Sequence, residues 1–164
     1  MGRALLILGW LATAGLLSTG LIGFQISRET GVGLHLLVAL FSSLLILFSH
    51  SWIMFYLIGT GKAVKTAVSE HGLDAEYAAR TIEFKNRSYP WLMFAMGVVM
   101  VTFIIGGGVA TRVIPSWIHA LLFAVALLVQ IRSLTLEGQV LLANDRLMQE
   151  VDRAIATAEE TVVL

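Results

Sequence analysis

The side chains of this chain best suited to hold a cofactor or move a proton are its histidines, because it contains no cysteine. Without thiolates there is no iron–sulfur cluster, no cysteine-bound zinc, no disulfide and no covalent haem attachment through a CxxCH motif. Any metal or cofactor must be held by His, Met, carboxylate or backbone groups. Three of the four histidines, His35, His50 and His119, fall inside long apolar runs, whereas His71 does not. A polar group left unsatisfied in hydrocarbon costs several kcal/mol, so each of the three needs a partner. Imidazole binds metals through either ring nitrogen and takes up a proton near neutral pH, so both chemistries are open to it.

The elements that position these rings follow from the distribution of apolar residues. Hydrophobic side chains make up 57% of the chain and charged ones only 13%, about half the charge of an ordinary soluble domain, so the solvent is mostly lipid. The apolar runs cover approximately residues 4–24, 32–59, 90–108 and 116–133, each near or above the roughly 20 residues a helix needs to cross a bilayer. The first contains Ser18-Thr19-Gly20 behind an apolar core, as a signal peptide can, and is read as a retained first span. The second is longer than a bilayer requires and is expected to tilt or project. Pro90 suits the first turn of the third, where its missing N–H is not needed. The fourth opens at Pro115-Ser116 and stays apolar to about Val129, after which Arg132, Glu137, Asn144, Asp145 and Arg146 read as a return to water. A short connection makes the last two spans an antiparallel hairpin.

Residues 60–89 are rich in helix formers and are expected to form a helical hairpin that turns at Gly72, with Asp74 capping its second arm. Residues 134–161 place Leu141, Leu142, Leu147, Val151, Ile155 and Ala158 at helical intervals, which predicts an amphipathic helix packed on that hairpin. The fold class is therefore all-α: one domain over 1–164, a four-helix up-and-down transmembrane bundle with a helical cytoplasmic hairpin and a C-terminal amphipathic helix. Orientation follows from Lys and Arg. Arg3, Lys62, Lys65, Arg80, Lys85, Arg87, Arg132, Arg146 and Arg153 lie on one side, against Arg28 and Arg112 on the other. Both termini are expected in the cytoplasm, with the spans in a bacterial inner membrane. A net charge of zero and the lack of any polybasic run leave no footprint for nucleic acid.

With alternating helix directions, His35 and His119 fall at one depth near the outer face, together with Gly20, Gly23, Gly106, Gly107 and Gly108. Imidazoles on spans two and four then face missing side chains on spans one and three. A flat cofactor needs this geometry, two axial nitrogens with its edges close to the other two backbones, which points to a haem. Arg28 and Arg112 at the rim suit its propionates. The same pattern also fits close packing of spans one and three, a polar layer that only fixes helix register, or a histidine-bound zinc or copper ion. His50 lies 15 residues beyond His35, about 22 Å along the helix and about 60° around it. It admits a second haem ligated with Met93 or Met96, a quinone notch with Ser49, Ser51, Trp52 and Tyr56, or a plain hydrogen bond to a neighbour.

Other motifs are incomplete. Gly59-Thr60-Gly61-Lys62 ends like a phosphate-binding loop, but Tyr56 stands where the pattern needs Gly and Ala63 where it needs Ser or Thr. Asn86-Arg87-Ser88 matches a glycosylation acceptor on the side expected to be cytoplasmic. There is no HExxH or GxSxG, and no charge at the middle of a span to mark an ion path.

With histidines on spans two and four facing glycines on spans one and three, the chain resembles the four-helix membrane b-type cytochromes and one half of the haem A synthase fold. The most similar stretch is GGGVATRVIPSWIHALLFAVALLV, residues 106–129. The resemblance covers the four spans and implies non-covalent haem b with His35 and His119 as axial ligands. No acidic residue closely precedes His35, so synthase activity is not implied. The expected function is electron transfer between a quinol and a redox partner protein, by a homo-oligomer or a subunit of a larger membrane complex. The contrasting expectation is a non-catalytic accessory or assembly subunit.

Overall fold

A computed structural model describes residues 2–25 and 32–163, apart from the side chains of Arg3 and residues 161–163. Arg28 therefore lies outside the described residues. The described residues form four helices, α1 (Gly2–Gln25), α2 (Gly33–His71), α3 (Ala75–Ala110) and α4 (Ser116–Val163).

Local chemistry sets the turns between them. Gly72 adopts φ 64°, the left-handed conformation that ends α2, and Leu73 N–H donates to the Val68 carbonyl at 3.1 Å, a capping arrangement that glycine favours because it has no Cβ. Two residues later Asp74 caps α3 by accepting from the Glu76 N–H at 2.8 Å. Between α3 and α4, the N–H groups of Val113 and Ile114 both donate to the Gly108 carbonyl, at 2.9 and 3.1 Å. Ile114 folds back so closely that a Cβ at Gly108 would lie 2.5 Å from its Cδ1.

At 1.5 Å per residue α1 is about 36 Å long, enough for a bilayer core of about 30 Å, whereas α2, α3 and α4 reach about 58, 54 and 72 Å. All four contain a window long and apolar enough to cross a membrane. The three long helices continue past the start of α1 as an extension cored by Val64, Leu147 and Val151. Residues 60–89 and 134–161 are thus continuations of the spans rather than separate elements. Pro90 lies well inside α3 instead of in its first turn. Helix formers on its N-terminal side and packing across it keep the helix going. Tyr89 Oη donates to the Met54 carbonyl at 2.8 Å, and Ser133 Oγ to that of Trp91 at 3.2 Å.

α1 packs on α2 and α4, α3 packs on the same two helices, and α2 meets α4 across the centre. The α1 and α3 backbones do not approach each other closely among the described residues, which removes the reading of their glycines as a mutual packing seam. The polarity of the bundle is inverted relative to a water-soluble one. Phe24, Phe41, Phe55, Ile104 and Leu128 point outward, while Thr13, Ser42, His50, Gln130 and Glu137 are buried. Each large apolar side chain exposed to water forgoes about 1.5–3 kcal/mol of burial, a loss that hydrocarbon removes. Four long apolar helices with such an exterior are consistent with a multi-pass integral membrane protein.

Candidate functional site

Two polar layers cross the interior. The first is built on helix ends. His35, in the first turn of α2, lies against Gly23 at the end of α1, and His119, in the first turn of α4, lies against Gly106 near the end of α3. A Cβ at either glycine would stand 3.0 Å from the Cε1 of the facing imidazole. Each ring therefore occupies the room that a missing side chain leaves on its neighbour. The rings meet in the centre with centroids 6.3 Å apart and planes at 85°.

Their protonation follows in part from hydrogen bonds. His35 Nδ1 is 3.1 Å from the Thr19 carbonyl, so Nδ1 carries the hydrogen and donates it, leaving the lone pair on Nε2. Metal-ligating histidines are commonly oriented in this way. His119 Nδ1 is buried without a partner. The rings border a cavity of about 120 Å³ with mainly apolar walls that include Val99, Phe103, Phe123 and Ala126.

The other residues expected at this layer divide. Gly107 lines the cavity, with open space where a Cβ would point. Gly20 instead admits the Phe123 ring, whose Cε1 would be 2.7 Å from a Cβ there. Arg112 sits in the exposed turn with φ 62°. The structure thus assigns Gly23 and Gly106 a direct role toward the imidazoles, where the sequence predicts one toward ring edges of a cofactor.

The donor set suits a haem. With metal–nitrogen bonds of about 2.0–2.1 Å, two imidazoles binding one ion from opposite sides have centroids about 6 Å apart. The apolar lining suits a non-covalent porphyrin. Volume is the tighter condition, since the cavity is below the roughly 300–1,000 Å³ of typical small-molecule sites.

The second layer lies deeper, and sequence reasoning missed most of it. His50, Gln130, Ser133 and Glu137 are all fully buried. His50 Nδ1 is 2.5 Å from Glu137 Oε1, and its Nε2 is 2.9 Å from Gln130 Oε1. Gln130 Nε2 donates to Thr13 Oγ1 at 3.2 Å, and Thr13 donates to the Gly9 carbonyl at 2.9 Å. Both nitrogens of His50 are engaged, so neither is free for a metal with the helices so placed. Met93 faces outward, and the Met96 sulfur receives the Ser51 hydroxyl at 3.7 Å. Trp52 packs at a tilt against Phe48 at the surface, and Tyr56 donates to Asp145 at 3.2 Å, so the expected quinone notch is not brought together.

Glu137 reads as a solvated residue only if the fourth span ends near Val129. In the continuous α4 it falls on a buried stripe: Gln130, Glu137 and Asn144 recur every seven residues, with Ser133 between the first two. That heptad spacing was the available signal. No group of three or more His, Cys, Asp or Glu residues is placed to hold a metal ion among the described residues. Neither a family model, nor a curated protein, nor a solved structure matches this chain.

Proposed function

We propose that this chain is a small b-type membrane cytochrome that holds haem b between His35 and His119 and passes electrons between a quinol and a redox partner protein. The observation that carries this reading is the pair of imidazoles with centroids 6.3 Å apart beside an apolar cavity that both line. When bound, haem supplies reversible one-electron chemistry at its iron. The chain's own residues do the rest. The Thr19 carbonyl holds the His35 tautomer and presents Nε2, Gly23 and Gly106 give the rings room, and the phenyl and aliphatic walls exclude water. Because the cavity is smaller than a porphyrin, uptake must displace apolar side chains that wall it, such as Phe103 and Phe123. The excess of Lys and Arg toward the opposite end of the bundle supports cytoplasmic termini and a position of this layer near the outer face, in what we propose is a bacterial inner membrane.

The small volume also favours a second reading, a single copper or zinc ion between the two imidazoles. The visible spectrum of the purified protein with and without dithionite, together with metal analysis, separates the two. Haem b gives a reduced α band and a sharpened Soret band, both lost or shifted in His35→Ala and His119→Ala and unchanged in His71→Ala. A colourless protein carrying copper or zinc supports the ion. A colourless, metal-free and folded protein refutes both, and leaves the layer as a register-fixing contact in an accessory or assembly subunit.

A further inference from the structure

The second layer carries an inference that does not rest on haem. We propose that His50 and Glu137 form a proton-exchange site in the core of the bundle, holding one proton between Nδ1 and Oε1 and reversibly binding a second at Glu137 Oε2.

The first proton follows from hydrogen-bond bookkeeping. Thr13 has one hydroxyl hydrogen and gives it to the Gly9 carbonyl, so its oxygen can only accept from Gln130. The Gln130 amide must therefore turn its NH₂ toward Thr13 and its oxygen toward His50 Nε2. It follows that Nε2 carries a hydrogen. The other nitrogen faces Glu137 Oε1 at 2.5 Å, a contact that needs one proton between the two atoms. Imidazolium with carboxylate and imidazole with carboxylic acid are the two forms of one neutral pair, and Gln130 fixes the ring for both.

The second proton follows from what remains unsatisfied. Glu137 Oε2 and Ser49 Oγ are buried without partners, and they converge on Gly9, where a Cβ would lie 3.9 Å from the carboxylate oxygen and 3.3 Å from the hydroxyl. A carboxylate serving only to anchor a histidine is normally hydrogen-bonded at both oxygens when buried. Here one oxygen keeps its lone pairs for a proton, and the nearby Ser49 hydroxyl, also unpartnered, makes no hydrogen bond to it.

The surroundings are otherwise free of ionisable groups. His50 and Glu137 are the only ionisable side chains that are buried among the described residues. At this level α1 offers Gly9 and Thr13, α2 offers Ser49, α4 offers Gln130 and Ser133, and α3 offers apolar Leu92 and Ala95. The next acid along α4 is Asp145, eight residues on and about 12 Å further along the helix, where it accepts from Tyr56. Asp145 also lies against α1, since a Cβ at Gly2 would be 3.7 Å from its Oδ1.

Infrared difference spectroscopy on the full-length protein in lipid nanodiscs, stepped across roughly pH 5–9, tests this. A protonated-carboxyl band is expected to grow as pH falls, to shift in heavy water, to persist in Asp145→Asn and to vanish in Glu137→Gln. A band that does not vary with pH, or that survives in Glu137→Gln, overturns the proposal. Should Glu137→Gln fail to fold, ¹⁵N resonances of His50 in the wild type decide. The proposal requires Nε2 to stay protonated at every pH and the Nδ1 signal to respond to the carboxyl titration, and a Nδ1 signal constant across the range refutes it.

Discussion

His119 occupies the space that Gly106 leaves on the facing helix: a Cβ at Gly106 would stand 3.0 Å from His119 Cε1. That is tighter than ordinary van der Waals contact, and a close-packed interior transmits the displacement instead of absorbing it. Under the proposed haem reading, Gly106→Ala is therefore expected to push the ring aside and to weaken haem retention by roughly tenfold, about 1.4 kcal/mol. Gly97→Ala is the matched control, because a Cβ there meets open space, and it should gain up to about 1 kcal/mol of helix propensity. Haem absorbance per protein after titration measures the difference. Equal retention in the two variants would disconnect the glycine from the site.

The His50–Glu137 contact makes a separate stability prediction. Removing one member of a buried charged pair typically costs about 3–5 kcal/mol, because the other is left buried without compensation. Glu137→Ala should fall in that range. The double variant His50→Leu with Glu137→Leu should recover most of the loss, since well-packed apolar replacements of buried pairs are often neutral or stabilising. Denaturant unfolding in detergent, followed by tryptophan fluorescence, gives both values. A double variant as unstable as the single one would mean that packing, rather than the unpaired charge, dominates.

These two sites differ in how far the sequence reveals them. The His35 and His119 layer is legible because helix direction alternates and both rings sit in the first turn of their helices, so counting residues places them together. The turn at Gly72 and Asp74 is legible because its chemistry is local. Pro90 and Glu137 are not, and for a shared reason. A proline or a carboxylate is read as the boundary of a span only if helices end where the bilayer does, and here α3 and α4 run on far past that depth. Partners 80 and 87 residues away then decide whether a polar side chain is solvated or buried. Composition near Glu137 carries no trace of His50, and only the seven-residue recurrence of Gln130, Glu137 and Asn144 marks the stripe.

Gly72 provides a local check on the extension. Its φ of 64° is one that an L side chain adopts at a cost of roughly 1 kcal/mol. Gly72→Ala should lower stability by about that amount, and Gly72→Asn by less, because asparagine tolerates the left-handed conformation. Thermal melts of the three proteins rank them. An alanine variant as stable as the wild type would show that the turn relaxes freely.

At the far end of the same extension, Arg80 reaches Glu150 with Nη1 2.5 Å from Oε2. The hydrogen bond from the guanidinium, reinforced by its charge, holds the Glu150 carboxyl below its ordinary range, and the carboxylate in turn raises Arg80. A carboxyl whose pKa is depressed on folding contributes stability above its unfolded pKa and loses it as pH falls through the folded one. The wild type should therefore be more stable than Glu150→Gln at neutral pH, with the advantage disappearing in acid below the ordinary carboxylate range. The Glu150 side chain is 44% exposed, so the effect is modest and salt should shrink it further, as screening of surface charges requires. Thermal melts of both proteins from neutral pH into acid, at low and high salt, provide the measurement. A difference that persists unchanged into acid would assign the contribution of Glu150 to packing of its side chain rather than to its charge.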